Sequence, residues 1–314
     1  MKQRLPQLAI VYFKGLAMGA ADVVPGVSGG TIALITHIYE RLIRAVDTIS
    51  VRLILGLFTP KRKEAWEKLD GSFLLALFLG IITSIVLLSG GITWLLKNHP
   101  IPLWAFFFGL ILGSALILKK SISTWNLTNV ISIIAGIVVA FGVGLISPSA
   151  ASDNLLYLFF CGMLVVIAMI LPGISGAFIL ILLGAYSTAL ETVEQLKTLA
   201  LEGVIVFLVM ASGGLVGLKL FSKLLRWLFT HHKNIILAAM TGFLLGSLYK
   251  VWPWKQVIEY YTNSSGEKTP LKTISVLPSF SDTSDHFIAA LIAFLLGGII
   301  LFILEYFSKA SPNE

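Results

Sequence analysis

The chain has 314 residues, of which 57% are hydrophobic and only 12% charged, with a net charge of +7 and a mean hydropathy of +0.91. That is too little polar surface to cover a soluble globule of this size, so the composition predicts a polytopic membrane protein. A single cysteine, Cys161, excludes an intramolecular disulfide and a cysteine-based metal cluster, and five histidines without ligand spacing add nothing towards zinc. No metal or cofactor is expected.

The N-terminus, Met1-Lys2-Gln3-Arg4-Leu5-Pro6, shows no small-residue cleavage site and reads as retained sequence. It leads into an apolar segment, residues 8–46, interrupted by Val24-Pro25-Gly26-Val27-Ser28-Gly29-Gly30-Thr31. Residues 47–71 follow as a basic loop, in which the stretch from Arg52 to Asp70, with Lys61-Arg62-Lys63 and Trp66, reads as a surface helix touching anionic lipid. Apolar runs at roughly 72–96, 101–118 and 129–146 are long enough to span a bilayer. A second interrupted segment, 155–190, carries Leu171-Pro172-Gly173-Ile174-Ser175-Gly176-Ala177, and three more runs follow at roughly 203–228, 235–252 and 287–304. Residues 253–286, rich in Thr and Ser, read as an external loop of no evident chemistry. Trp94, Trp227, Trp252 and Trp254 fall at span ends and read as an interfacial belt.

The two interrupted segments are copies of each other. An offset of 147 aligns Pro25 with Pro172, Gly15 with Gly162 and Tyr39 with Tyr186, and an offset of 133 aligns Trp94 with Trp227, His99 with His232, Gly109 with Gly242, Gly113 with Gly246 and Ser114 with Ser247. The expected architecture is therefore an all-α membrane protein of two repeats, 1–150 and 151–314. Each repeat is a Pro-Gly-x-Ser-Gly hairpin, re-entrant or fully spanning, followed by three transmembrane helices. An arm of ~17 residues rises ~25 Å against a hydrocarbon core of ~30 Å, which leaves both forms of hairpin open. Three spans per repeat is an odd number, so the second copy enters from the opposite face and the repeats are inverted. The charges orient the chain: with both termini cytoplasmic, only Lys97, Lys197, Lys250, Lys255, Lys268 and Lys272 of the 23 basic residues lie outside. No aromatic-interleaved basic tract suggests nucleic acid.

Helix breakers inside an apolar segment are tolerated where the freed backbone is buried or lines a wet cavity. The candidate substrate-binding residues are accordingly Pro25, Gly26, Ser28, Gly29, Gly30 and Thr31 in the first turn and Pro172, Gly173, Ser175 and Gly176 in the second. Free amides, hydroxyls and helix N-termini favour an anion, most naturally a carboxylate or a phosphate. Asp22 is the odd residue, because a carboxylate in an apolar run costs ~2.5 to 3.5 kcal/mol at the centre of an inserted helix. It aligns with Met169 in the second copy, and either pairs with Lys14 two turns earlier or titrates as a coupling group. His37 and Arg41, one turn apart, read as a solvated or snorkelling face.

Gly19-Ala20-Ala21-Asp22-Val23-Val24-Pro25-Gly26-Val27-Ser28-Gly29-Gly30-Thr31 together with Leu171-Pro172-Gly173-Ile174-Ser175-Gly176-Ala177 resembles the PopT family of polyprenyl-phosphate translocases, and the likeness covers nearly the whole chain. The resemblance implies a flippase that returns undecaprenyl phosphate from the outer to the inner leaflet of a bacterial plasma membrane for cell-wall precursor synthesis. Its partners would be that lipid and the surrounding membrane, with coupling to a proton or to sodium left open. Two other readings stand beside it. One is a carrier of a small anion, solute or ion on the same frame. The other is an enzyme resembling membrane undecaprenyl-diphosphate phosphatases, whose Pro-Gly-x-Ser turn continues Arg-Ser and follows a glutamate pair. Here Gly29-Gly30 stands in place of Arg-Ser, and Leu16 to Ala21 supplies no glutamate. Phosphoryl chemistry would lack both a cationic clamp and metal carboxylates, so no enzyme activity is expected.

Overall fold

A computed structural model describes residues 4–23, 28–146, 152, 154–262, 268–278 and 286–309. The described chain is almost entirely helical. The first half holds α1 (Arg4–Asp22), α2 (Gly29–Ile35), α3 (Tyr39–Thr48), α4 (Val51–Gly56), α5 (Arg62–Lys68), α6 (Gly71–Asn98), α7 (Pro100–Lys120) and α8 (Leu127–Leu145). The second holds α9 (Leu155–Ile170), α10 (Gly176–Leu182), α11 (Tyr186–Lys197), α12 (Leu201–His231), α13 (Lys233–Ser247), β1 (Lys255–Thr262), β2 (Lys268–Ser275) and α14 (Phe287–Lys309).

Four described helices, α6, α7, α8 and α12, contain a window long and apolar enough to cross a membrane, and the bent pair α10 and α11 brings the number to five if it counts as one span. The expectation of six full spans is thus met in part. The helix expected over 235–252 stops at Ser247, where the Ser247 hydroxyl donates back to the Leu244 carbonyl at 2.8 Å and the chain turns through Leu248 to Val251. Side-chain caps set several starts: Asn126 accepts from the Asn129 amide at 2.9 Å ahead of α8, and Asn154 accepts from the amides of Leu156 and Tyr157 ahead of α9.

Elements correspond across the 147-residue offset of the two turns. The seven-residue helices α2 and α10 begin at Gly29 and Gly176, and both break at a left-handed residue, His37 (φ 60) and Gly184 (φ 64), before α3 and α11 begin at Tyr39 and Tyr186. Further on, His99 (φ −136, ψ 55) and His232 (φ −135, ψ 44) make the same corner, each edge-on to the tryptophan five residues earlier, with ring centroids 5.4 and 5.2 Å apart. The packing repeats as well. Helix α1 pairs with α6 as α9 pairs with α12, while α7 pairs with α14 as α13 pairs with α8, so the last two pairs join the halves. Glycines set the closeness: a Cβ on Gly15 or Gly80 would strike the backbone of α6 or α1, and one on Gly162 or Gly213 the backbone of α12 or α9.

Three expectations change. The second arm of each hairpin is not one helix of ~17 residues, because α2 and α10 rise only ~10 Å before the left-handed break, and α10 and α11 meet at 113°. The stretch from Arg52 to Asp70 is two short helices, separated at Thr59-Pro60, and Trp66 packs on Gly71 and donates to the Ser72 hydroxyl at 3.0 Å. The segment read as an external loop contains an antiparallel ladder of β1 and β2, from Lys255 opposite Ser275 to Thr262 opposite Lys268. The alternation of Val257, Glu259 and Tyr261 with Ile258 and Tyr260, followed by Asn263-Ser264-Ser265-Gly266, is the strand-and-turn signal that marks it.

Candidate functional site

The two copied turns meet. Ser28, in extended conformation ahead of α2, accepts from the Gly30 amide at 3.2 Å, and its hydroxyl donates to the carbonyls of Met169 and Leu171 at 3.4 Å each. The Gly173 amide donates to the Thr31 hydroxyl at 3.2 Å, and the Tyr39 hydroxyl donates to the Ile170 carbonyl at 3.0 Å. Ser28 is 2% exposed and Thr31 fully buried. The contact requires glycine on both sides. A Cβ on Gly30 would lie 2.8 Å from the Ile170 carbonyl oxygen, and Gly173, at φ +84, lies against Ser247 and the Phe243 carbonyl.

Residues about 140 apart in sequence thus form a buried polar junction in which the Ser28, Thr31 and Tyr39 hydroxyls of the first half satisfy backbone groups freed at the second turn. Ser28, Gly29, Gly30, Thr31, Pro172, Gly173 and Gly176 are all buried at or beside it. Pro25 and Gly26 lie outside the described residues. Ser175 differs from its counterpart: half-buried ahead of α10, its hydroxyl makes no side-chain cap.

The Asp22 carboxylate accepts from the Gly29 amide at 2.6 Å, so the protein's own anion sits over the start of α2. A Cβ on Gly29 would run into Asp22, and one on Gly176 into Met169, so these aligned residues occupy equivalent places over the two short helices. Lys14 is buried, 8% exposed, on α1.

Beneath this junction a cavity of about 1770 Å³ extends from the C-terminal end of α2 to α5 and the start of α6. Leu34 and Ile35 of α2, Val11 of α1, Phe73 of α6 and Leu237 of α13 form its apolar wall. His37 is exposed and Arg41 partly exposed, and both line the cavity, where the left-handed turn at residue 37 leads the chain into α3. Arg41 forms a two-pronged pair with Asp70, at 2.6 and 3.1 Å, with its guanidinium 4.3 Å from the centre of the Phe73 ring.

Helix α3 is also bound to the second half. Lys233 pairs with Glu40 at 2.6 Å, Arg226 with Asp47 at 2.8 Å, and Lys219 donates to the carbonyls of Asp47 and Ile49, closing the C-terminal end of α3. Its counterpart α11 makes one ion pair among the described residues, the internal Lys197 with Glu194 at 2.6 Å. The sequence carried no signal for these partners, since each pair joins residues 170 or more apart.

The chain matches the family described as VCA0040-like, undecaprenyl phosphate translocase-like, over residues 18–269. It belongs to this family. It is 39% identical over 302 residues to a polyprenyl-phosphate transporter of Vibrio cholerae, covering 95% of this chain and 96% of that one. It is 34% identical over 253 residues to a polyprenyl-phosphate transporter of Staphylococcus aureus, covering 76% and 84%. No solved structure matches it. Both copied turns fall inside the matched region, as does the lining of the cavity from Leu34 to Leu237.

Proposed function

We propose that this protein is a transporter of undecaprenyl phosphate that returns the lipid carrier from the outer to the inner leaflet of a bacterial plasma membrane for cell-wall precursor synthesis. The observation that carries the reading, beside the family, is the junction of the two turns. A phosphate crossing the bilayer needs donors near its middle, and here the Ser28 and Tyr39 hydroxyls and the Gly173 amide all donate across the junction. Separating the turns frees the Thr31 and Ser28 hydroxyls and the Gly173 amide, beside the Ser175 hydroxyl. A headgroup can then accept from these donors in place of the protein acceptors they have given up, while water takes up the freed carbonyls of Met169, Ile170 and Leu171. Pro25, Gly26, Gly29, Gly30, Pro172 and Gly176 shape the turns that present these groups.

The two halves act as inverted repeats with re-entrant hairpins, both termini cytoplasmic, and exchange conformations in alternating access. The unequal treatment of α3 and α11 supports this, because among the described residues α3 is clamped to the opposite half by ion pairs and α11 is not. Asp22 is the coupling candidate: protonation would weaken its hold on the Gly29 amide and loosen the junction.

The test is transport of labelled undecaprenyl phosphate by the purified protein in proteoliposomes, with undecaprenol as control, with and without a pH gradient. The reading expects phosphate-dependent transfer that Asp22→Asn uncouples from the gradient. Equal transfer of lipid and alcohol, or none of either, contradicts transport; a gradient response kept by Asp22→Asn contradicts coupling at that residue alone.

A further inference from the structure

We propose that the cavity beneath hairpin one is a second, separate binding site, for a lipid phosphomonoester, with the phosphate held by Arg44, Arg62 and Lys63. The proposal rests on the transport reading for the identity of the lipid, but on the cavity alone for its chemistry.

The charges decide the headgroup. Of the basic residues lining the cavity, Arg41 is neutralised by Asp70, Lys233 by Glu40 and Lys68 by Glu64. Arg44, Arg62 and Lys63 enter no ion pair among the described residues, and Glu67 is the one lining carboxylate left to oppose them. Arg44 spends its Nε on the Glu40 carbonyl at 3.3 Å and keeps its terminal nitrogens. Three unneutralised cations on two elements, Arg44 on α3 and Arg62 and Lys63 at the start of α5, face one space. Guanidinium and ammonium groups together suit the three oxygens of a terminal phosphate, with arginine supplying two-pronged geometry and lysine a mobile charge.

The walls decide the rest of the ligand. Beside the cations lies an apolar wall in which Leu8 and Leu57 are half-buried and Trp66 is exposed, backed by buried Val11, Leu34, Ile35, Phe73 and Leu237. A free phosphate would leave that wall unused, and a prenyl alcohol would leave the cations unused. The volume of about 1770 Å³ exceeds the ~300 to 1,000 Å³ of ordinary ligand pockets, which leaves room for a headgroup and the first isoprene units. Helix α2 joins the two places. Its start, Gly29 to Thr31, lies in the turn junction and its end, Leu34 and Ile35, lines the cavity, a separation of ~10 Å along the axis. A phosphate leaving the junction therefore reaches the cavity within the length of one short helix.

The experiment is equilibrium binding of labelled farnesyl phosphate to the full-length protein in phosphatidylcholine nanodiscs, with farnesol, inorganic phosphate and a short-chain phosphatidylglycerol as competitors. Saturable binding is expected, with each competitor at least tenfold weaker. The triple change Arg44→Gln, Arg62→Gln and Lys63→Gln should weaken farnesyl phosphate at least tenfold, and Glu67→Gln should tighten it. All four side chains are exposed, so the thermal midpoint should be unaltered; Arg62→Gln alone, at a threefold or greater loss, serves if the triple variant is unstable. Parent-like affinity in these variants overturns the site. Equal competition by inorganic phosphate overturns the lipid part, and equal competition by phosphatidylglycerol makes the patch a general anionic-lipid surface. Undecaprenyl phosphate transport, assayed on the same preparations, separates the two claims. A parent that transports while the variants bind normally refutes the cavity and spares the transport reading, whereas cation-dependent binding without transport does the reverse.

Discussion

The clamp on α3 gives a quantitative prediction. The Asp47 side chain is 10% exposed and holds Arg226 at 2.8 Å and Lys219 at 3.5 Å, while those two cations are 55% and 47% exposed. Asp47→Asn keeps the shape and removes the charge. Fully exposed pairs contribute ~0 to 1 kcal/mol and hydrogen bonds to charged groups ~1.5 to 3 kcal/mol. With one partner buried and two half in water, the loss should be ~1 to 2 kcal/mol, a factor of roughly 5 to 30 in the equilibrium between docked and released α3. Glu194→Gln in α11 breaks a pair exposed on both sides, at 64% and 70%, and should cost under ~0.5 kcal/mol. The assay is a double-mutant cycle of Asp47→Asn with Arg226→Gln by reversible thermal unfolding in detergent, with amide exchange read separately over α3 and α11. The single changes should couple, α3 should lose protection while α11 does not, and the effect should shrink in 1 M salt, where the screening length is ~3 Å. Coupling below ~0.3 kcal/mol with α3 protection unchanged would refute the clamp.

Two further predictions concern packing and pH. Gly15→Ala pushes a methyl into the α6 backbone and should destabilise the protein by ~1 to 3 kcal/mol, whereas Gly142→Ala, with open space around it, should be neutral or better in the same thermal measurement. Lys255, which opens β1 outside the spanning helices, has its pKa pushed down to about 8 by burial and by the Lys250 charge. The folded protein therefore disfavours charged Lys255 below about pH 8, and this group's contribution to stability rises with pH from there towards its ordinary value of 10.5. Mass-spectrometric mapping of amine acylation at pH 8 should find Lys255 modified ahead of Lys197, and Lys250→Met should slow that reaction; the opposite order would contradict the assignment.

The duplication was legible because it is local: the offset of 147 that aligns the Pro-Gly turns also aligns the left-handed breaks at His37 and Gly184. The spans followed from apolar length in part: α6, α7, α8 and α12 are long enough to cross a membrane, whereas Ser247 ends α13 early. The content of the site was legible only in part. Ser28, Thr31 and Gly173 could be picked out as donors from the turn sequence, but that they bond across to the other turn depends on how the halves pack. Asp22 stood out as a carboxylate in an apolar run, and its bond to the Gly29 amide spans a seven-residue separation through a turn no periodicity describes. The roles of Tyr39 and Asp47 were invisible for the same reason, since a hydroxyl or carboxylate does not announce a partner in the other half.

The account turns on whether the copied turns must part for the lipid to cross. In a Cys161→Ala background, Ser28→Cys with Leu171→Cys places a thiol on each of two residues in contact, the Ser28 hydroxyl now lying 3.4 Å from the Leu171 backbone carbonyl, for closure by a short reducible thiol cross-linker. Proteoliposomes of this protein should transport undecaprenyl phosphate when reduced, stop when cross-linked and resume on reduction, with either single-cysteine protein unaffected by the reagent. Transport that continues at the reduced rate in fully cross-linked protein would show that the junction stays closed while the lipid passes elsewhere.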